Sequence, residues 1–202
     1  MWNWIKSLFG VKSATGPAPA SPSLPSVSTT VSTSAASTTT YDERRLNTPN
    51  KSLRTITPTM LVLHHTSGSY NGSVSWCMNP GSKVSYHCII SRDGKRTVLA
   101  DDNARCWHAG VSSWQGVPDC NSYSIGVAWE GDTYENPIGE AAMESAIQYI
   151  APRMKRWHIP MSRVVTHQDI APTRKNDISP ADAARFKSRL KTALNSHPST
   201  LN

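Results

Sequence analysis

Three side chains that could together form a catalytic zinc site come from two places in this chain. His167 and Asp177 are ten residues apart in one polar segment, which also carries Lys175. His64 directly follows a run of four apolar residues and is the third candidate. Two imidazoles and one carboxylate form a known catalytic zinc set, in which a fourth position stays open for water. By residue type, these side chains are therefore candidates for a hydrolytic metal site.

Four sequence blocks around these residues resemble the type-2 N-acetylmuramoyl-L-alanine amidases. The blocks occur in family order across most of the chain, and they are 61–66 (LVLHHT), 85–94 (SYHCIISRDG), 107–110 with 124–127 (WHAG and SIGV), and 167–177 (HQDIAPTRKND). Enzymes of this family use zinc to cut peptidoglycan between the lactyl group of the sugar and L-alanine. The resemblance therefore implies a zinc-dependent peptidoglycan amidase.

The resemblance also implies a role for each polar residue of the site. The family pattern places the metal ligands at His64, His167 and Asp177, and Zn²⁺ is the implied cofactor. Bound zinc lowers the pKa of its water and polarises the scissile carbonyl group. Lys175 matches the family's cation, which stabilises the oxyanion of the tetrahedral intermediate. Neighbouring strand residues point to opposite faces, so His65 is not expected to share the metal.

Two positions relate the chain to different branches of the family. The anhydro-muropeptide amidases of cell-wall recycling carry a glutamate where this chain has Ala128, and they lack a tyrosine where it has Tyr86. Phage-lysozyme members show the reverse, so this chain resembles the phage arrangement. Tyr86 is then expected to assist catalysis by hydrogen bonding to the water or the intermediate. Glu130, two residues beyond Ala128 on the same strand face, is either a substitute for the glutamate or a strand-end surface carboxylate.

Two segments that combine tryptophan and glycine, 107–110 and 113–116, predict one wall of a substrate cleft. Their glycines allow close backbone approach, and tryptophan rings offer faces for a sugar or a peptide. We predict that Trp114 contacts the substrate and that His108 lies near the substrate or the metal. Asn121 is predicted to hold the stem peptide, with capping of a turn as the alternative.

The pattern of apolar residues predicts the fold class α/β, a single domain with a central mixed β-sheet flanked by helices. An Asp-Gly pair at 93–94 marks a hairpin, and Pro152 lies late in a helical pattern that it could end or kink. The predicted strands are 59–64, 84–91, 96–100, 124–130 and 163–167, and the predicted helices are 138–156 and 182–194.

The amino-terminal part of the chain is predicted to precede this domain as a disordered tail. Residues 13–40 are almost entirely Ser, Thr, Ala, Pro and Val, a composition that cannot bury enough apolar surface to fold. We therefore expect a short amphipathic segment at 1–12, a disordered linker at 13–45 and a zinc amidase domain at 46–202. Polar residues interrupt the apolar start, which argues against a signal peptide. On a helix it would contact a membrane weakly, and a disordered tail is the alternative.

Net charge and motif content limit the classes of molecule that this chain is expected to bind. The formal net charge of +7 favours polyanions, namely nucleic acid, acidic lipid or the polymers of a cell envelope. No nucleic-acid-binding motif is present, so no specific nucleic-acid partner is predicted. The expected partner is peptidoglycan or a muropeptide, and the expected state is a monomer. The four cysteines match no structural zinc spacing, and their pairing is left open.

Together these observations predict a bacteriolytic zinc amidase, a phage-type endolysin made in the cytoplasm that acts at the bacterial cell wall or in the periplasm. One alternative is a cytosolic recycling amidase that acts on soluble anhydro-muropeptides, which the Trp107 block favours. Another is a peptidoglycan-binding module without catalysis. The module is disfavoured because the chain keeps all three candidate ligands and Lys175.

Overall fold

Six strands form the sheet that organises the described part of the chain, residues 39–196 of a computed structural model. The ten strands within these residues are β1 (Glu43–Arg45), β2 (Lys51–Thr55), β3 (Met60–His65), β4 (Cys88–Ile90), β5 (Arg96–Val98), β6 (Ala104–Cys106), β7 (Ser113–Trp114), β8 (Val117–Pro118), β9 (Ser124–Trp129) and β10 (Val164–Thr166). The pairs β2-β6 and β7-β8 form two separate two-stranded sheets. The helices are α1 (Tyr70–Met78), α2 (Glu140–Trp157), α3 (His167–Ile170) and α4 (Pro180–Ser196). The predicted amphipathic segment 1–12 and residues 13–38 of the predicted linker lie outside the described residues.

The sheet is mixed, in the order β1-β5-β4-β9-β3-β10. Only β4 and β5 pair antiparallel, as the predicted hairpin requires, and the other pairs are parallel. Because β9, β3 and β10 are parallel neighbours, their carboxyl ends meet at one edge of the sheet. The register places Ala128 beside His64 and Thr166 beside Leu63. The register therefore brings His64, near the end of β3, close to His167, which directly follows β10.

Alternate residues of β3 face different layers, and helices cover both. Leu61 and Leu63 pack in the cluster that includes residues of α2 and α4. Met60 and Val62 pack on the other face, with residues of β10 and α3, while α1 covers β4, β5 and β9. His64 follows the second set by the two-residue period of a strand. This arrangement confirms the predicted fold class of a mixed sheet flanked by helices.

Two element boundaries differ from the prediction for identifiable reasons. β10 ends at Thr166 because Thr166 caps α3: its hydroxyl accepts the Asp169 N–H, and the Asp169 carboxylate accepts the Thr166 N–H. His167 is therefore the first residue of a helical turn. Pro152 lies inside α2, which continues to Trp157. The buried face of α2 packs on the sheet and supports the helix where the proline removes one hydrogen bond.

Ordered structure begins before the boundary expected between linker and domain. Residues 43–45, the last three of the predicted linker, form β1 and pair in parallel with β5. Arg44 Nε donates to Thr97 Oγ1 at 2.9 Å. The ring of Tyr41 lies so close to Gly94 that an added Cβ there would come within 2.5 Å of it. These contacts extend the domain into the charged residues that end the uncharged run.

None of the helices within residues 39–196 has both the length and the apolar character needed to cross a membrane. The four cysteines all lie in this described part, and all four are buried free thiols.

His87 is a core histidine whose two ring nitrogens are both engaged. Nδ1 accepts the Gly126 N–H at 3.0 Å, and Nε2 donates to the Ala104 carbonyl at 2.9 Å. Burial lowers the pKa of His87 to about 4, because the protonated ring would lose its hydration.

We expect the free energy of unfolding of the metal-free protein to fall as the pH drops from 7 to 4. The unfolded chain binds a proton at His87 near pH 6.5, whereas the folded chain does so near pH 4, so stability is lost as the pH falls through this window. His87 alone contributes about 3 kcal/mol to this loss by pH 4. Denaturant unfolding at several pH values measures it, with His87→Asn as the control. An equally steep pH dependence in that variant would contradict the assignment.

Candidate metal centre

Three side-chain atoms converge at the carboxyl edge of the sheet. His64 Nδ1 lies 3.0 Å from His167 Nδ1 and 3.0 Å from Asp177 Oδ2, and His167 Nδ1 lies 3.1 Å from the same carboxylate oxygen. All three residues are buried. The three residues proposed as ligands from the sequence thus form one cluster, although two of them are over a hundred residues from His64 along the chain.

The spacing of these atoms fits a zinc ion. Zinc binds nitrogen and oxygen at about 2.0–2.2 Å in a tetrahedron, which separates neighbouring ligand atoms by about 3.3 Å. The observed separations of 3.0 to 3.1 Å are slightly shorter. Three acceptor atoms this close, and away from water, are stable together only when protons or a cation lie between them. Two imidazoles and one carboxylate are also the donor types that zinc prefers.

The protonation of the cluster favours metal binding at neutral pH. Burial lowers the pKa of His64 to about 4, so its ring is neutral. Burial by itself raises the pKa of the Asp177 carboxyl group, but the neighbouring imidazoles of His167 and His64 outweigh burial and hold this pKa far below its usual range. Asp177 is therefore an anion, which is the form that binds a cation.

A turn on the far side of β3 holds the segment that carries Asp177. Thr133 Oγ1 accepts the Ser179 N–H at 2.8 Å, and the Tyr134 hydroxyl donates to the Asn176 carbonyl at 2.9 Å. Thr133 Oγ1 is also 2.9 Å from Nδ1 of His65. His65 thus points away from the metal cluster, as the strand period predicted, and helps to position Asp177 indirectly.

The second ring nitrogen of each candidate histidine ligand has a protein partner. His167 Nε2 lies 3.1 Å from the Ala109 carbonyl, and His64 Nε2 lies 3.1 Å from His108 Nδ1. Arg174 donates to the same Ala109 carbonyl at 2.7 Å and joins the 107–110 segment to the last loop. Sequence reasoning missed this role of Arg174, since nothing in the pattern distinguishes an arginine that bonds the backbone of another segment from its neighbour in a polar loop.

Tyr86 and Lys175, the predicted catalytic residues, both lie close to the cluster. The ring centroids of Tyr86 and His64 are 5.1 Å apart. Burial raises the pKa of the Tyr86 hydroxyl, and the charge of Asp177 acts in the same direction, so this group stays a donor. The charge of Lys175 is close enough to lower the pKa of His64. Within residues 39–196, neither the Tyr86 hydroxyl nor the Lys175 ammonium group has a hydrogen-bonding or ion-pair partner.

The three predicted substrate-binding residues lie around the 107–110 segment. Trp114 is half-buried and packs against the apolar cluster on the α3 face of the sheet. His108 and Asn121 are only 5% and 6% exposed. The Asn121 side-chain oxygen accepts the N–H groups of His108 and Ala109 at 3.1 and 2.8 Å. These two bonds agree with the alternative considered for Asn121, in which its side chain caps a turn. Substrate binding by all three residues stays a prediction.

A family model described as N-acetylmuramoyl-L-alanine amidase matches residues 54–180. The 1,6-anhydro-N-acetylmuramyl-L-alanine amidase AmpD of Enterobacter cloacae is 33% identical over 155 residues, which cover 67% of this chain and 82% of that protein. This chain belongs to the N-acetylmuramoyl-L-alanine amidase family. The peptidoglycan amidase activity inferred from the sequence motifs is thereby confirmed, and the alternative of a module without catalysis loses its support.

Two solved structures of amidases have folds similar to that of this chain. The AmiD amidase from Escherichia coli, in complex with anhydro-N-acetylmuramic acid-L-Ala-D-γ-Glu-L-Lys, is similar with a TM-score of 0.61 and 25% identity, over 69% of this chain and 59% of that one. The endolysin LysCS from Clostridium intestinale is similar with a TM-score of 0.54, over 77% of this chain and 99% of that one. At 21% identity, the endolysin shares the fold alone.

Glu130 serves the scaffold of the amidase. Its two carboxylate oxygens accept the backbone N–H groups of Tyr70, at the start of α1, and of Arg92, in the hairpin turn, both at 3.0 Å. Ala128, the β9 residue beside His64, is fully buried beneath α1. Of the two interpretations left open for Glu130, the strand-end carboxylate agrees with these contacts.

We expect Glu130→Ala to lower the free energy of unfolding by about 0.5–2 kcal/mol, as loss of a helix cap does, because two backbone N–H groups lose their acceptor. Amidase activity of the folded variant should stay within about two-fold of wild type, since the carboxylate contacts no group of the metal cluster. Glu130→Gln, which keeps one acceptor oxygen, is the matched control. A large loss of activity at unchanged stability would show instead that Glu130 replaces the missing glutamate.

Proposed function

We propose that this amidase holds one zinc ion with His64, His167 and Asp177 and hydrolyses the amide bond between N-acetylmuramic acid and L-alanine of a soluble anhydro-muropeptide. The observation that carries the metal assignment is the convergence of three buried acceptor atoms at 3.0–3.1 Å. Zinc, when bound, polarises the scissile carbonyl and lowers the pKa of the attacking water.

Two side chains beside the ligands supply the remaining chemistry. The Tyr86 hydroxyl is a protonated donor without a protein partner in the described chain, so it is available to hydrogen-bond the attacking water or the intermediate. Lys175 lies two residues before Asp177 and forms no ion pair there, so its charge is available to stabilise the oxyanion of the intermediate. No carboxylate of β9 takes part, because Ala128 occupies the position beside His64.

The comparisons favour soluble anhydro-muropeptides over the endolysin substrate that the sequence predicted. Relatives at 33 and 35% identity are named 1,6-anhydro-N-acetylmuramyl-L-alanine amidases, whereas the endolysin likeness extends to the fold alone. The endolysin prediction rested on Tyr86 and Ala128. Tyr86 lies beside His64 and Ala128 lies under α1, so these residues bear on how water is oriented and not on which muropeptide binds. The predicted site of action in the cell stays a prediction.

We expect release of the L-alanine amino group from a soluble anhydro-muropeptide, with a kcat/KM at least about ten-fold above that for purified peptidoglycan. A chelator should abolish release, zinc should restore it, and His167→Ala should stay inactive with zinc present. Lys175→Met should lower kcat by about 10²–10³, as loss of an oxyanion donor does, and Tyr86→Phe by about 10². The measurement is steady-state kinetics on both substrates.

Lys95→Met is the matched control for the loss of one positive charge, because Lys95 pairs with Asp93 on the exposed hairpin turn. Its activity should equal that of wild type. Faster cleavage of intact peptidoglycan than of the soluble fragment would restore the endolysin assignment. Full activity in the presence of a chelator would contradict the zinc assignment.

A further inference from the structure

We propose that His108 is a positioning residue that fixes the tautomer of His64, so that the bare Nδ1 of His64 faces the metal. The inference rests on the proposed zinc site and gives His108 a role other than the predicted contact with substrate. It follows from the direction of three consecutive hydrogen bonds, which begin at a main-chain carbonyl.

The direction of these bonds is set at Cys120, because a carbonyl oxygen can only accept. Ser124 Oγ lies 2.6 Å from the Cys120 carbonyl and donates its one proton there. Towards His108 Nε2, at 3.4 Å, the same hydroxyl can therefore only accept. His108 thus carries its proton on Nε2, and the neutral ring presents Nδ1 as an acceptor.

The protonation of His108 determines which ring nitrogen of His64 carries a proton. Its Nε2 lies 3.1 Å from the bare Nδ1 of His108 and must donate to it. The neutral His64 ring then has no proton on Nδ1, the atom 3.0 Å from both His167 and Asp177. In the opposite tautomer, an N–H group would point into the cluster and occupy the place of the ion.

The neighbouring residue acts on the second histidine ligand in the same way. The Ala109 carbonyl accepts from His167 Nε2 at 3.1 Å, which leaves His167 Nδ1 bare. Asn121 holds the main chain at both positions through the N–H groups of His108 and Ala109. One dipeptide therefore sets the tautomers of both histidine ligands, through a side chain in one case and a carbonyl in the other.

The ring of His108 is fixed in place by its packing. A Cβ added at Gly126 would lie 2.4 Å from Cγ of His108, so only glycine lets the ring lie against β9. The rings of His64 and His87 meet the His108 ring edge-on, with centroids 5.1 and 5.8 Å away. The ring therefore has little freedom to turn Nδ1 away from His64.

We expect His108→Leu to weaken zinc binding by about 10–100-fold, the usual effect of removing a partner of a metal-bound histidine. His108→Asn, whose side-chain oxygen can replace Nδ1 as acceptor, should stay within a few-fold of wild type. Gly126→Ala, which displaces the ring without removing it, should weaken binding as His108→Leu does. Zinc affinity is measured by competition with a chromophoric chelator, and thermal unfolding shows that each variant is folded.

A spectroscopic measurement tests the tautomer without any substitution. In metal-free wild type, ¹⁵N chemical shifts should show His108 protonated at Nε2 and bare at Nδ1. A proton on Nδ1 of His108, or wild-type zinc affinity in folded His108→Leu, would overturn the proposal. Failure of the wild-type protein to bind zinc would overturn the proposed function instead, and the ¹⁵N shifts would still decide the direction of the hydrogen bonds.

Discussion

The rest of the structure depends on keeping three acceptor atoms, one of them charged, about 3 Å apart in a buried site. Such a cluster repels itself and loses hydration, so a flexible chain would not hold it without a cation. The amidase supplies each of the three from a different fixed support. His64 lies next to the end of a buried strand, His167 begins a capped helical turn, and Asp177 lies in a segment held by hydrogen bonds with Thr133 and Tyr134.

Several polar groups form hydrogen bonds that orient the rings of the two candidate histidine ligands. His108, Ala109, Asn121 and Arg174 bind one another and the outer nitrogens of the two histidines; the first three are buried and Arg174 is exposed. The Tyr86 hydroxyl and the Lys175 ammonium group, by contrast, have no hydrogen-bonding or ion-pair partner in the described chain. The candidate site therefore contains two kinds of polar group, those already engaged in hydrogen bonds with the protein and those still available to a substrate.

The sequence was informative where local pattern decides structure. The apolar run before His64, the Asp-Gly turn at 93–94 and the helical period at 138–156 predicted elements that the fold contains, because each follows from side-chain periodicity or turn chemistry. The convergence of the three candidate ligands was predictable because the motifs around them resemble those of a known family. The same resemblance pointed to Tyr86 and Lys175; the ring of Tyr86 lies 5.1 Å from that of His64, and the charge of Lys175 lowers the pKa of His64.

Other features depend on partners distant in the chain, which periodicity does not encode. Glu130 was left undecided because its partners, Tyr70 and Arg92, come from elements 60 and 38 residues away. The parallel pairing of β1 with β5 likewise places ordered structure inside a segment that composition assigned to a linker. The hydrogen bond between His108 and His64, and the bond from Arg174 to the Ala109 carbonyl, can be identified only from the three-dimensional structure. For substrate preference, the comparisons favour the alternative over the endolysin reading, because that reading depended on two residues, Tyr86 and Ala128, whereas the relatives match over much of the chain.

Zinc K-edge X-ray absorption on the purified protein loaded with one equivalent of zinc tests the central claim most directly. The account predicts a single tightly bound ion with a shell of nitrogen and oxygen at about 2.0–2.2 Å, including the scattering pattern of two imidazoles. Failure to retain zinc, or a sulfur shell at about 2.3 Å from a cysteine ligand, would contradict the assignment of His64, His167 and Asp177.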